Sequence, residues 1–274
     1  MKLGAFLREA SEKIPSSEVI WLLGSLLQKN HGELLLAREQ ILDSSQLLRL
    51  EEWIGRRLRG EPLQYITGAT SFWGREFLVE KGVLIPRPET EVLVALALRE
   101  IDRLRARKVF DVGVGTGCIG ITLLCERPKL RLVGSDINSK AVALAKKNAK
   151  SLGVARRTRF FKEAFLAPVR KFPPDIVVAN PPYLNEEGDE LTQEVKDWEP
   201  ENALFSKDAG TWHAEQIFKE CLEIRPRALV LELSPKVAVL LEKKWQKEKK
   251  VKVIHRESDL AGRSRFLLVE FDNG

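Results

Sequence analysis

The sequence predicts an α/β protein, a doubly wound and mainly parallel sheet with a small helical domain ahead of it. Three observations predict this class. Short apolar runs alternate with helical-period segments from residue 108 onward, a glycine-rich turn joins the first run to its helix, and the first sixty residues carry helical spacing. At 274 residues, 44% hydrophobic and 31% charged, the chain has the composition of a soluble globular protein and is long enough for one large and one small core.

From Leu3 to about Arg59 the pattern is helical. Leu47, Leu50, Ile54 and Leu58 recur at steps of three and four behind the cap candidates Ser44 and Ser45. Residues 1–60 therefore form the helical domain, which Gly60-Glu61-Pro62 ends. Residues 61–89 carry β-type side chains punctuated by Gly68, Gly74, Gly82, Pro86 and Pro88, so a β-hairpin and an ordered linker are expected there. Residues 90–274 form the main domain. Its first helix starts at Thr90 or Glu91, with Val92, Leu96, Ile101 and Leu104 on its apolar face.

The sheet is then expected as strand Lys108–Val112, helix Gly117–Glu126, strand Arg131–Ser135, helix Ser139–Ser151, strand Thr158–Lys162 and strand Asp175–Ala179. Alternation of this kind implies parallel order and right-handed crossovers. Ala228–Leu233 continues the sheet, and Val251–His255 with Phe266–Phe271 would close it as a hairpin. Ligands of such sheets sit at the carboxyl ends of the strands, here around a switch point near Asp111 and Asn180.

Two motifs meet at that point. Asp111-Val112-Gly113-Val114-Gly115-Thr116-Gly117 places glycine where a backbone must turn tightly or approach a nucleoside-type ligand closely. By itself the loop also fits a dinucleotide, since Gly115, Gly117 and Gly120 read G-x-G-x-x-G and Asp136 ends the second strand. Asp136 suits ribose hydroxyls in either case; its alternative is a cap or turn in Ser135-Asp136-Ile137-Asn138. Asn180-Pro181-Pro182-Tyr183 separates the two readings. Proline at 181 and 182 removes backbone donors and fixes φ, so the Asn180 amide oxygen and the Pro181 carbonyl can face one planar NH2 group. Holding both hydrogens turns the nitrogen lone pair outward, toward a methyl donor. A nicotinamide enzyme has no use for such a pair, whereas S-adenosylmethionine chemistry on nitrogen does. Asp111 could then meet the cofactor's ammonium group, and Phe165, after the third strand, could pack on adenine or simply in the core.

The remaining signals are bland. Cys118, Cys125 and Cys221 form no C-x-x-C pair and read as small core thiols. His31, His213 and His255 are scattered singly and read as surface or turn residues, so no metal is expected. A net charge of +6 points moderately to an anionic partner, but its clusters, Arg56-Arg57-Leu58-Arg59 among them, fall where solvated helix faces would lie. With no apolar run of membrane-spanning length and no signal-like N-terminus, a cytoplasmic protein without membrane association is expected.

Taken with Gly60-Glu61-Pro62-Leu63-Gln64-Tyr65-Ile66-Thr67-Gly68, Phe72-Trp73-Gly74, Leu84-Ile85-Pro86-Arg87-Pro88-Glu89-Thr90-Glu91 and Glu199-Pro200, the two motifs resemble the bacterial peptide chain release factor glutamine methyltransferases. The match covers most of the chain, and the linker segments are its specific part. The resemblance implies a Rossmann-like class I methyltransferase with a mainly parallel seven-stranded sheet, plus a small N-terminal helical domain that grips the protein substrate and a β-hairpin linker. It implies methyl transfer from S-adenosyl-L-methionine, leaving S-adenosyl-L-homocysteine, to the glutamine of the Gly-Gly-Gln motif in class 1 release factors, in support of translation termination. By matched position the cofactor would meet Asp111, Gly113, Val114, Gly115, Thr116, Gly117, Asp136, Phe165 and Asn180. Substrate would meet Asn180, Pro181, Pro182 and Tyr183, with Asn180, Pro181 and Tyr183 in catalysis. Family members often carry Asp just before the aromatic; here Ala164 stands there, preceded by Glu163. A monomer with no nucleic-acid substrate is expected. The rival readings are a ribosomal-protein glutamine methyltransferase, an adenine-amino methyltransferase on nucleic acid, and a catalytically idle module that binds the release factor or the ribosome.

Overall fold

A computed structural model describes residues 1–171 and 173–272, which divide into two compact units: Met1–Ala69 with Thr192–Trp198, and Thr70–Leu191 with Glu199 onward. In the first unit, helices α1 (Leu3–Ala10), α2 (Ser16–Leu27), α3 (His31–Leu36), α4 (Ser44–Leu58) and α5 (Leu63–Thr67) gather around Leu22, Leu23, Leu50 and Trp53. Helix α4 is capped by Asp43, one residue ahead of the expected serines. The Asp43 carboxylate accepts from the Gln46 N–H at 2.8 Å while the Gln46 side chain accepts from the Asp43 N–H at 3.1 Å, a reciprocal capping box, and the Ser45 hydroxyl also donates to Asp43 at 2.7 Å. Leu50 and Ile54 are buried, but Leu58 is exposed at the last turn.

Helix α5 departs from the β-type expectation for this stretch. Pro62 stands at its N-cap, where a missing N–H is harmless, and Gly68 closes it at φ +77°, so the punctuation read as linker is helix start and stop. The Arg56–Arg59 cluster is likewise not a solvated face throughout. Arg56 forks onto Glu61 at 2.8 and 2.6 Å, and Arg57 pairs with Glu18 at 2.7 Å and with Glu194. These two guanidiniums are committed inside their own unit.

In the second unit, β1 (Ala69–Phe72) and β2 (Arg75–Leu78) form the expected hairpin. Its two central residues, Trp73 and Gly74, have φ of +53° and +66°, the primed turn that matches strand twist. Helix α6 (Thr90–Leu104) follows, then β3 (Lys108–Val112), α7 (Cys118–Glu126), β4 (Arg131–Ser135), α8 (Ser139–Ser151), β5 (Thr158–Phe161), β6 (Ile176–Ala179), α9 (Gln193–Trp198, in the first unit), α10 (Trp212–Ile224), β7 (Ala228–Glu232), α11 (Pro235–Trp245), β8 (Val251–Ser258) and β9 (Ser264–Phe271). The seven-stranded sheet runs β5-β4-β3-β6-β7-β9-β8, parallel except for β9, which is antiparallel to β7 and β8.

Burial on both faces explains the apolar runs. In β6, Ile176 and Val178 join one core cluster and Val177 and Ala179 the other; in β7, Ala228 and Val230 alternate with Leu229 and Leu231 in the same way. The first cluster is closed by α6, α7 and α8, the second by α10 and α11, where Phe218 stacks on Trp245 at 4.0 Å. Each buried valine, leucine, isoleucine or phenylalanine among them contributes about 1.5–3 kcal/mol through burial. Chain order reverses between β3 and β6, whose last paired residues are Val112 and Ala179. That reversal opens a crevice at their carboxyl ends.

Candidate functional site

The crevice is a cavity of about 310 Å³, within the range of small-molecule sites, and its walls belong wholly to the second unit. The glycine loop leaves β3 at Val112 and forms one wall. Gly113 and Gly115 have φ of +74° and +53°, and a Cβ on either would meet no protein atom within 4 Å. Packing therefore does not require glycine there; the left-handed backbone does.

Asp136 pins this loop from the end of β4. Its carboxylate accepts from the Gly115 N–H at 2.9 Å and the Asn138 N–H at 2.8 Å, while remaining on the cavity wall. Burial raises its pKa against those two hydrogen bonds. The turn it makes also frees Asn138 to cap α8. From below, Asn148 of α8 donates to the Thr116 carbonyl at 2.8 Å and bonds the Leu78 N–H and C=O at 2.8 and 3.1 Å, tying loop, helix and hairpin together.

Phe165 lies on the wall with φ +47°, its carbonyl accepting from the Ser135 hydroxyl. Its ring meets Trp212 edge-on at 5.6 Å, and Trp212 meets His213 at 4.8 Å. His213 Nδ1 lies 2.8 Å from the Ser206 hydroxyl, and burial lowers its pKa. Both Trp212 and His213 line the cavity, so His213 is neither the surface nor the turn residue its isolation suggested. Glu163 and Ala164 line it too.

The opposite wall carries Asn180, Pro181 and Pro182 directly after β6. The Asn180 amide nitrogen donates to the Thr90 hydroxyl at 3.1 Å, and no donor among the described residues reaches its Oδ1. Beside it, Arg87 donates to the buried Glu199 at 2.6 Å, next to Pro200, Asn202 and Ala203 of the wall.

The cavity thus brings together Gly113, Val114, Gly115, Thr116, Asp136, Phe165, Asn180, Pro181 and Pro182, but not Asp111, Gly117 or Tyr183. Asp111 is fully buried behind the loop, its Oδ2 accepting from the Gly120 N–H at 3.0 Å and its Oδ1 without a partner; desolvation pushes its pKa up to about 7. With one oxygen turned into the first turn of α7, Asp111 lies behind the cavity wall. Gly117 is the N-cap of that helix. Tyr183 packs against the core beneath α10 and α11, and burial moves its hydroxyl pKa up to about 12. Among the described residues no cluster of His, Cys, Asp and Glu could hold a metal, and no helix is long and apolar enough to cross a membrane.

Comparison with known proteins adds to this geometry. Residues 2–68 match the PrmC N-terminal domain and residues 89–197 the methyltransferase small domain. The release factor glutamine methyltransferase of Nitratidesulfovibrio vulgaris is 36% identical over 84% of this chain and 81% of its own length, and that of Salmonella typhimurium is 31% identical over 92% and 87%. The N-terminal domain of human METTL16 in complex with SAH superposes with a TM-score of 0.55 over 97% of this chain and 94% of its own, at 14% identity, which shows a shared fold. With both parts of the chain matched, and with relatives above 30% identity along most of its length, the chain belongs to the family of release factor glutamine methyltransferases.

Proposed function

We propose that this chain transfers a methyl group from S-adenosyl-L-methionine to the side-chain amide nitrogen of the glutamine in the Gly-Gly-Gln motif of class 1 peptide chain release factors. The observation that carries the reading is Asn180: its donor end is tied back to Thr90 and its oxygen is left as an acceptor, on the same cavity as the glycine loop. The cavity fits the cofactor by size, by the side-chain-free surface at Gly113 and Gly115, and by an acid and an aromatic ring on its walls. Gly113 to Thr116, Asp136, Phe165 and Asn180 would hold it. When bound, it supplies an electrophilic methyl group on a sulfonium centre.

A primary amide nitrogen is a weak nucleophile because its lone pair is delocalised into the carbonyl. Orientation and exclusion of water must supply the help. Asn180 Oδ1 and the Pro181 carbonyl grip the two amide hydrogens and leave the nitrogen facing the methyl donor. Tyr183, off the wall, anchors the loop rather than packing on substrate. The helical unit serves as the grip on the release factor. We take the working form to be a cytoplasmic monomer whose acceptor is a protein and not a nucleic acid.

The test is transfer of labelled methyl from the cofactor to a release factor, repeated with the Gly-Gly-Gln glutamine replaced. Label is expected on the first protein only, and incorporation into nucleic acid or ribosomal protein instead would overturn the assignment. Asn180→Ala should lose turnover worth about 2–4 kcal/mol at saturating cofactor.

A further inference from the structure

Glu232 is the last residue of β7, the strand beside β6, and is 1% exposed in an otherwise apolar stretch. A buried carboxylate at that position needs a reason. Its Oε2 has no hydrogen-bond partner, and the register that pairs Ala179 with Leu231 sets Glu232 beside Asn180, whose side chain together with that of Thr90 favours the charged form. Thr90, 2% exposed at the first turn of α6, already accepts from Asn180. Its hydroxyl hydrogen is therefore free to donate. An ionised carboxylate can only accept, so it imposes one direction on the groups beside it: the Asn180 NH2 gives to Thr90, and the remaining Thr90 and Asn180 hydrogens turn toward Glu232. Were Glu232 protonated, its own O–H could donate and that direction could reverse, turning the Asn180 oxygen inward and its NH2 toward the cavity. A site facing a substrate NH2 with another NH2 has lost its acceptor.

We propose that Glu232, acting through Thr90, is a positioning residue that fixes the polarity of the Asn180 amide, keeping its oxygen aimed at the acceptor substrate. The inference rests on the functional reading above and adds a residue outside the cavity wall to it. Charged and titratable groups around Glu232 act in both directions. Arg265 of β9 favours its ionised form, though that guanidinium is also held by Asp259 at 3.0 Å, while Glu89 ahead of α6 opposes it and Tyr183 lies close enough to feel its charge. Desolvation dominates and pushes the carboxyl pKa up to about 7. Its ionisation falls where the cell's pH can move it, and turnover should rise with pH through that value.

The full chain labelled with ¹⁵N-asparagine tests the inference without any methyl acceptor. The Asn180 side-chain signal is assigned by its loss in Asn180→Asp, and its NH2 protons should exchange slowly with water at pH 8. Glu232→Gln and Thr90→Val should each speed that exchange about tenfold or more, while Thr90→Ser retains the wild-type rate. Unchanged exchange in Glu232→Gln would falsify the proposal. With release factor and saturating cofactor present, Glu232→Gln and Thr90→Val should lower kcat about tenfold and, for Glu232→Gln, flatten the limb near pH 7. A wild-type chain that methylates no release factor would sink the functional reading, and the amide exchange would still decide the role of Glu232. Should Glu232→Gln not fold, the Thr90 pair decides alone: equal exchange in Val and Ser overturns the proposal.

Discussion

Arg87 donates to Glu199 at 2.6 Å, and the carboxylate side chain it holds is 2% exposed while its own is 34% exposed. The other Glu199 oxygen has no partner, so Arg87 carries the compensation for that buried charge. Arg87→Ala should cost about 2–3 kcal/mol, less than a wholly buried pair because Arg87 reaches solvent. Thermal and urea unfolding should show the loss, and calorimetric titration should show weaker cofactor binding as the wall at Pro200 to Ala203 loosens. Arg87→Lys should fall between the two.

Asn148, itself buried, makes three contacts that no apolar residue can replace, to both backbone groups of Leu78 and to the Thr116 carbonyl. Asn148→Leu keeps the volume and strands those groups. A loss of about 2–4 kcal/mol is expected, read as a lower urea midpoint. A value below about 0.5 kcal/mol would mean water replaces the amide at little cost.

Asp111 predicts the sign of a pH effect. Its folded pKa, up to about 7 through desolvation, lies above the unfolded carboxylate value, so the folded chain holds the extra proton and stability falls as pH rises from about 4 to about 7. Asp111→Asn removes that slope and keeps an acceptor for the Gly120 N–H. The urea midpoint of wild type minus variant should therefore be higher at pH 5 than at pH 7.5. The opposite order would show that Asp111 is ionised and stabilised in the fold.

In the helical unit, Leu36, Ile41 and Leu48 are 90%, 73% and 70% exposed, against a buried core of the same residue types. Aspartate at Leu36 or Leu48 should leave unfolding within about 0.5 kcal/mol of wild type, as surface changes do. If this unit grips the release factor, KM for that protein should rise severalfold with the cofactor Kd unaltered. Unchanged KM in both variants would remove these side chains from the interface.

The strands were legible because burial on both faces writes itself as an apolar run: β3 and β4 lie where their sequence places them, residue for residue. Helix α5 was hidden by its own capping, since Pro62 and Gly68 read equally well as breakers. The loop and the tetrapeptide were legible as motifs, but their partners were not. Thr90 and Asn180 are ninety residues apart in sequence and Glu232 is farther still, so only the sheet order joins them. A signal was present all the same. Asn148 falls on the apolar stripe of Ala141, Leu144, Ala145 and Ala149, and Glu232 ends an apolar run, so each is a polar group where spacing demands burial. Trp212 and His213 gave no such signal, because the wall they form depends on where α10 begins.

The tetrapeptide is moored on both sides of the sheet: Asn180 through Thr90 to the layer of α6, and Tyr183 in the layer of α10 and α11. Two prolines span the short distance between the moorings, and Leu184 is stitched to Phe205 just beyond. The acceptor pair proposed above is therefore ordered by folding, before any substrate arrives. A glutamine on a flexible loop must lose its own freedom on docking, but the site that receives it has already been ordered by folding, and binding energy can go to the incoming side chain alone.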